Sequence, residues 1–364
     1  MENKSSSDYE SVHGRCLDMC PESEMKFREA NRLLSLFEVM DGHEKIRHPK
    51  CDPTKCVKEF RRSAAGEKLN DADQLRPAKV LLQTVDYLLA KIATRRDVPF
   101  DVVYDFVFDR LRSVRQDMVI QQIHSKDPHL AACIIEKCYR FYAFALFVIK
   151  RYNLVSIDRH IHRTHMKQCL QSLVEIYRSF PVEKTLNNSS EFLACYVIFN
   201  SESNIFEEFL MNFSKGIRME EPLQTAIQLY RAVLQNNFVR VFKLFSLLKS
   251  NEYYLPLLSF IENTQKYRTK VVSVLSHSHN SKQCSFPPEI LLKWLLLSDR
   301  ASVLQICAGH GMNVNEKSHV IFQKSNFSTP HECNVQESFI DSFESLQDMT
   351  DKVILSHNEE VVGS

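Results

Sequence analysis

Seven glycines in a chain of 364 residues constrain this protein more than any other feature of its sequence. That is about 2%, against a usual level of roughly 7%. Glycine supplies left-handed turns and lets a backbone close onto a phosphate, so a chain this poor in it cannot build many such loops. There is no G-x-G-x-x-G and no G-x-x-x-x-G-K-[ST], so the Rossmann and P-loop fingerprints are missing. The 46 Lys+Arg against 45 Asp+Glu give a formal net charge of +1. That does not describe a generally basic nucleic-acid binder, although a local basic face stays open.

What remains is helical patterning. Val103, Val107, Leu111, Val114 and Met118 recur at spacings of four and three, as do Met166, Cys169, Leu170, Leu173, Ile176, Tyr177 and Phe180; each set marks one face of a helix. Residues 130–152 are apolar nearly all round in their second half, which predicts a buried helix. Phe141, Tyr142, Phe144 and Phe147 crowd it as core residues rather than as a base-stacking platform. Asp52-Pro53, Asp127-Pro128 and Glu221-Pro222 place proline where a helix begins, and Asp158 is positioned to cap the helix that follows it. Further helices are expected over 21–40, 78–95, 190–200, 205–214, 222–235, 238–249 and 252–276. Breaks are expected at 42–49, 62–73, 184–189 and 278–285. Helix pairs joined by short loops predict an all-α, helical-repeat stack of the TPR or PCI kind.

The pattern changes after residue 283. Residues 288–297 and 299–309 read as two helices and 318–324 as a short strand, an order that suits a winged-helix cap. The expected organisation is a polar N-terminus over 1–13, a helical domain over 14–283, the cap over 284–327 and an acidic, mostly flexible tail over 328–364. Residues 331–364 hold eight acids and one base, Lys352, with room for one short amphipathic turn. The opening residues have no apolar run, so no secretory leader is expected, and the longest apolar stretch, 141–149, is far too short to span a bilayer. Eleven cysteines without an export signal predict reduced thiols in cytosol or nucleus.

Several short motifs, in order, then resemble one family. Cys16-Leu17-Asp18-Met19-Cys20-Pro21-Glu22-Ser23-Glu24 opens the match. Val57-Lys58-Glu59-Phe60-Arg61-Arg62, Leu75-Arg76-Pro77 and Thr84-Val85-Asp86-Tyr87-Leu88 continue it. Asp109-Arg110-Leu111-Arg112-Ser113-Val114-Arg115-Gln116-Asp117, Glu191-Phe192 and Asn236-Asn237-Phe238-Val239-Arg240-Val241-Phe242 complete it. Together they resemble the SAC/GANP (germinal-centre-associated nuclear protein) family over residues 14–325. The resemblance implies a helical-repeat stack ending in a winged helix, related to PCI domains. It implies a scaffold rather than an enzyme, with a PCI-domain protein and a small acidic DSS-type subunit as partners. Within the family the chain is most similar to the short, single-domain members. That implies a role in centrosome duplication, spindle assembly and mitotic progression, at the centrosome and spindle and in cytoplasm or nucleus. The alternative is a component or adaptor of an mRNA-export (transcription-export) complex. The chain lacks the phenylalanine-glycine repeats, centrin-binding helix and acetyltransferase domain of larger members.

Cys16-x3-Cys20 with Cys51-x4-Cys56 offers four thiols, but neither pair is C-x-x-C and Cys56 falls in an expected helix, so packing is favoured over zinc. His162 and His165 share a helix face that His160 does not, without an H-E-x-x-H, which favours a structural role. No nucleophile elbow or cysteine-protease signature is present; no catalytic residue, metal or cofactor is assigned. Arg110, Arg112 and Arg115, set among Asp109 and Asp117, are expected to form ion pairs, Asp109 with Arg112 within the helix among them. Lys293, Arg300, Lys317, His319 and Lys324 are the candidate contacts to a partner or, weakly, to RNA through the winged-helix face. Tyr253 and Tyr254, at a helix start, suit an interhelical groove.

Overall fold

The computed structural model describes residues 12–62, 70–180, 188–203, 213–297, 299–329 and 345–355. The protein is predominantly helical, as the periodicity predicts. It packs as two units. The first comprises Met1–Phe141, Glu175–Phe180 and Ile354–Ser364, and the second Tyr142–Val174 and Pro181–Val353.

In chain order the helices are α1 (Glu22–Ala30), α2 (Ala78–Tyr87, continued by a π-helical turn over Leu88–Ile92), α3 (Phe100–Ile120), α4 (Ile123–Lys126), α5 (Pro128–Arg151), α6 (Arg159–Ser179), α7 (Ser189–Phe199), α8 (Lys215–Met219), α9 (Glu221–Leu234), α10 (Phe238–Ser250) and α11 (Tyr254–Ser278). Their starts follow the expected chemistry. Asp127 Oδ1 accepts from Leu130 N at 3.0 Å, with Pro128 as the first helical residue of α5. Asp158 Oδ1 accepts from His160 N and Ile161 N at the head of α6. The predicted stripes are buried: Val103, Val107, Leu111, Val114 and Met118 on α3, and Met166, Cys169, Leu170 and Leu173 on α6.

In the second unit α7 lies against α9 and α11, and α10 against α9 and α11. Between α10 and α11 the rings of Phe245 and Phe260 stand 4.6 Å apart, and those of Phe238 and Tyr267 5.7 Å apart. Next come β1 (Ser285–Phe286), α12 (Pro288–Leu295), α13 (Arg300–Gly309), β2 (Asn313–Val314) and β3 (Val320–Ile321). The strands pair antiparallel in the order β1-β3-β2, with Phe286 and Val314 both opposite Val320. Gly311, at φ +81°, is required here, since a Cβ on it would meet Asn326 O at 2.1 Å. Arg268 on α11 closes the end of α12 by donating to Leu295 O (3.1 Å) and Leu296 O (3.3 Å).

Three sequence expectations are corrected. The helix expected over 21–40 ends at Ala30. Arg32 takes φ 59°, and Leu33 N donates back to Arg28 O at 2.8 Å, which closes the last turn. Asp52-Pro53 starts a turn, in which Asp52 accepts from Thr54 N and Oγ1, and no helix follows. Cys56 N donates back to Asp52 O at 3.0 Å, which closes the turn, and the turn is not extended into a helix because the next backbone groups serve tertiary partners: Val57 N reaches Glu38 and Lys58 N reaches Met19 O. The strand expected over 318–324 is only Val320–Ile321, and its two partner strands carried no sequence signal. The helix expected over 205–214 and the breaks at 62–73 and 184–189 fall largely outside the described residues. In the acidic tail a short helix, α14 (Leu346–Thr350), is closed by a Ser345–Asp348 capping box. It buries Met349, and Val353 just beyond it is buried too. Lys352 Nζ lies 3.0 Å from Tyr254 Oη and 5.1 Å from its ring centroid.

Candidate functional site

Several of the motif residues between Cys20 and Asp117 converge in the first unit, under the surface. Glu38 is one centre. Its carboxylate is fully buried and accepts from Arg28 Nη1 (2.8 and 2.9 Å), Arg110 Nη2 (3.2 Å), Val57 N (3.1 Å) and Ser35 N (3.1 Å). Arg28 also donates through Nη2 to Val57 O (3.0 Å), Cys56 Sγ (2.9 Å) and Cys20 Sγ (3.2 Å). Glu24, one turn earlier on α1, lies 3.5 Å from Arg28 Nε and accepts from Glu59 N (2.8 Å). Arg110, on α3, reaches Glu59 at 3.0 Å and Asp109 at 2.5 Å.

Asp117, one helical stretch along α3, is the second centre. It accepts from Arg76 Nε at 2.8 Å and Lys58 Nζ at 2.7 Å. Arg76 donates further to Ser113 Oγ (2.9 Å) and Met19 O (3.2 Å), and Lys58 to Gln74 O (2.6 Å). Gln121 closes the assembly, donating to Arg76 O and accepting from Gly14 N at 2.8 Å. A Cβ on Gly14 would stand 2.3 Å from Leu75 O, so only glycine fits this crossing.

Burial opposes the charge on Arg28 and Arg110, yet Glu38 holds both guanidiniums above their ordinary range. The Cys56 thiol is pushed up, first by its hydrogen bond with Cys20 and then by burial. The Cys56 sulfur therefore acts as a neutral acceptor for the Arg28 guanidinium, and Cys20 Sγ accepts from the same group. Met25 packs beside them and half-buried Cys51 against them. Cys16 stands apart, donating to Asp18 O at 3.2 Å, with Asp18 exposed. The four thiols do not converge, and a cation already sits between the two buried ones. Among the described residues no group of three or more His, Cys, Asp or Glu is arranged to hold a metal. A protonated, inaccessible thiol is a poor nucleophile, so the cluster's chemistry is cohesion. It ties the segments 14–38 and 56–60, which have little regular structure beyond α1, to the Leu75-Arg76-Pro77 turn and α3.

The remaining candidates fall elsewhere. The Asp109–Arg112 intrahelical pair is not formed. Asp109 instead holds Arg110 and Phe60 N, and Arg112 lies over the Phe60 ring at 3.8 Å. Pro21 is buried at the head of α1, Pro77 precedes α2, and Arg115 lies on α3. His162 is buried, with Nε2 3.0 Å from Tyr142 O, and desolvation lowers its pKa to about 4. His165 faces the same Tyr142 ring, while His160 is exposed. On the β–α module Lys293, Arg300, Lys317 and Lys324 are exposed and His319 is half-buried. Arg300 donates to Lys317 O (3.2 Å) and lies 3.7 Å from Glu289, and His319 Nδ1 is 3.4 Å from Ser285 Oγ. Lys293 and Lys324 make no ion pair among the described residues. Tyr253 donates to Glu221 at 3.1 Å. Sequence reasoning missed Glu38 and Arg28, and reached Glu24 only as the end of the opening motif. The Glu24–Arg28 spacing of four was the available signal; Glu38 carried none, because its position was read as helix.

Residues 19–316 match the model of the SAC3/GANP family. The chain is similar to Protein xmas of Drosophila melanogaster, with 24% identity over 86% of this chain and 15% of the relative. It is similar to SAC3 family protein B of Arabidopsis thaliana, with 24% identity over 83% of this chain and 18% of the relative. SAC3 family protein 1 of Schizosaccharomyces pombe is 32% identical over 45% of this chain and 15% of its own length. The chain thus spans less than a fifth of the length of these relatives. A match over most of the chain, in which Cys20, Lys58, Arg76, Arg110, Ser113 and Asp117 of the quoted motifs meet in one buried assembly, makes this protein a member of the SAC3/GANP family.

Proposed function

We propose that the protein is a non-enzymatic scaffold. The observation that carries this reading is the use made of the buried charges: the motif residues Lys58, Arg76, Arg110 and Asp117, with Arg28 and Glu38 from outside the motifs, hold backbone segments and one another. A body built this way offers shape and surface rather than chemistry.

In this reading the helices stack as a PCI-like repeat, and the β–α module, with its two helices and three short strands, is a winged-helix cap. The cap docks a PCI-domain protein, and a small acidic DSS-type subunit completes the complex. The assembly serves centrosome duplication, spindle assembly and mitotic progression, at the centrosome and spindle and in cytoplasm or nucleus. An mRNA-export complex is the second setting, favoured only by exposed Lys293 and Lys324, which have no ion-pair partner on the module. No described helix is long and apolar enough to cross a membrane.

The test is co-purification. The tagged full chain is captured from dividing cells, as wild type and as the Lys293→Glu/Arg300→Glu/Lys324→Glu variant, and protein partners and RNA are scored separately. The scaffold reading expects a PCI-domain protein with the wild type and loss of it with the variant. RNA retained at low salt and lost with the variant, with no protein partner, favours the nucleic-acid setting. Recovery of neither a PCI-domain protein nor a centrosomal component defeats the proposal.

A further inference from the structure

From Pro222 to Asn251 the chain contains no Asp or Glu, while it holds Arg231, Arg240, Lys243 and Lys249. This stretch is the α9–α10 hairpin. Its turn is rigid: Asn236 takes φ 53°, Asn237 N donates to Ala232 O at 2.9 Å, and Asn237 Oδ1 accepts from Arg240 N at 3.1 Å. The turn sets the end of α9, with Arg231 and Leu234, beside the start of α10, with Val239 and Arg240. The inner sides of both helices are core. The outer side is exposed and mixed. Arg231, Arg240 and Lys243 lie in solvent, interleaved with Leu234 (45% exposed), Val239 (41%) and Leu247 (42%). Val239, Lys243 and Leu247 form a single stripe at spacings of four.

These three cations make no side-chain hydrogen bond or ion pair among the described residues. Among the described residues, two acids from the flanking segments are engaged elsewhere. Glu221 accepts from Asn251 and Tyr253 at the far end of the hairpin, and Glu202 binds Lys266 and Lys270. An uncompensated cationic face carrying exposed aliphatic side chains is complementary to carboxylates presented with apolar anchors. It is a poor match for a nucleic acid, because the rings of the hairpin (Tyr230, Phe238, Phe242, Phe245) are buried and leave no platform on which a base can stack.

We propose that the outer face of the α9–α10 hairpin docks an acidic, amphipathic segment of a partner protein. The proposal is independent of the β–α module and of the partner assigned to it.

Fluorescence anisotropy of the full chain tests it with three probes: a synthetic peptide bearing Glu and Asp with Leu and Phe at helical spacing, the same peptide with Gln and Asn in place of the acids, and a single-stranded oligouridine. The acidic peptide binds the wild type, and the neutral peptide and the oligouridine bind more weakly. Arg231→Glu/Arg240→Glu/Lys243→Glu weakens acidic-peptide binding by about tenfold or more, and Val239→Ser/Leu247→Ser weakens it several-fold. Both variants keep the wild-type circular dichroism, since every substituted side chain is exposed. Lys293→Glu/Lys324→Glu, on the module, leaves peptide binding unchanged. The proposal is overturned if the wild type does not bind the acidic peptide, or if charge reversal on the hairpin leaves binding intact. It is equally overturned if the module variant abolishes binding, or if the oligouridine is the probe whose binding the hairpin variant removes.

Discussion

The first unit and the α9–α10 hairpin of the second treat the same residue types in opposite ways. Around Glu38 and Asp117, arginines and carboxylates are buried and each is answered by a partner within hydrogen-bond reach. On the hairpin, Arg231, Arg240 and Lys243 stand in solvent with no acid paired to them among the described residues. A buried charge is tolerable only when paired, so the motif-rich cluster must be an internal fastening. An exposed, unpaired one contributes little to stability and is available to something outside the chain. The part of the family signature between Cys20 and Asp117 thus marks how the first unit is held together, whereas its Asn236–Phe242 part forms the hairpin turn and leaves Val239 and Arg240 in solvent.

The sharpest way to break this contrast is to remove one partner at a centre. Glu38→Ala leaves Arg28 and Arg110 facing each other in a dry interior, and the expected loss is about 3–5 kcal/mol by urea denaturation. Asp117→Ala, which strands Arg76 and Lys58, should fall in the same range. Replacing both charges, as Arg28→Met with Glu38→Leu, should recover much of the loss; a double variant no better than Glu38→Ala would mean that the charges do more than fill and pair.

Buried His162 extends the comparison to pH. Its folded pKa, about 4, lies below the unfolded value of about 6.5. The unfolded chain therefore binds the proton first, and stability falls as pH drops from about 6.5 towards 4, by about 2–3 kcal/mol. His162→Gln should flatten that part of the urea-denaturation profile, and an unchanged slope would place the titration elsewhere. Gly311→Ala should destabilise the β–α module by about 1–3 kcal/mol through its positive φ and the contact with Asn326 O. The smallest effect is expected on the hairpin: Arg240→Ala or Lys243→Ala should stay within about 0.5 kcal/mol of wild type, in contrast to Glu38→Ala.

Periodicity located most helices because the spacing of apolar residues is imposed by the 3.6-residue turn whatever the surroundings. The caps at Asp127 and Asp158 were legible for the same reason: a cap is settled by residues within one turn. The helix expected over 21–40 failed because its second half answers to distant groups. Glu38 is where Arg28 and Arg110 need an acceptor, and no local pattern announces that. The same holds just after Cys56, where the backbone N–H groups of Val57 and Lys58 are taken by Glu38 and Met19. The two-residue strands β1 and β2 are too short for alternation to register.

The amino-acid order alone determined a glycine-poor helical chain, its family and the residues of its signature, because composition, spacing and motif are local properties. Which charges are buried and which meet solvent was decided only when α3 brought Arg110 and Asp117 to the loops around Glu38 and Arg76, and when the Asn236 turn folded α10 back on α9. Pairing across tens of residues depends on packing, and packing is a property of the whole fold.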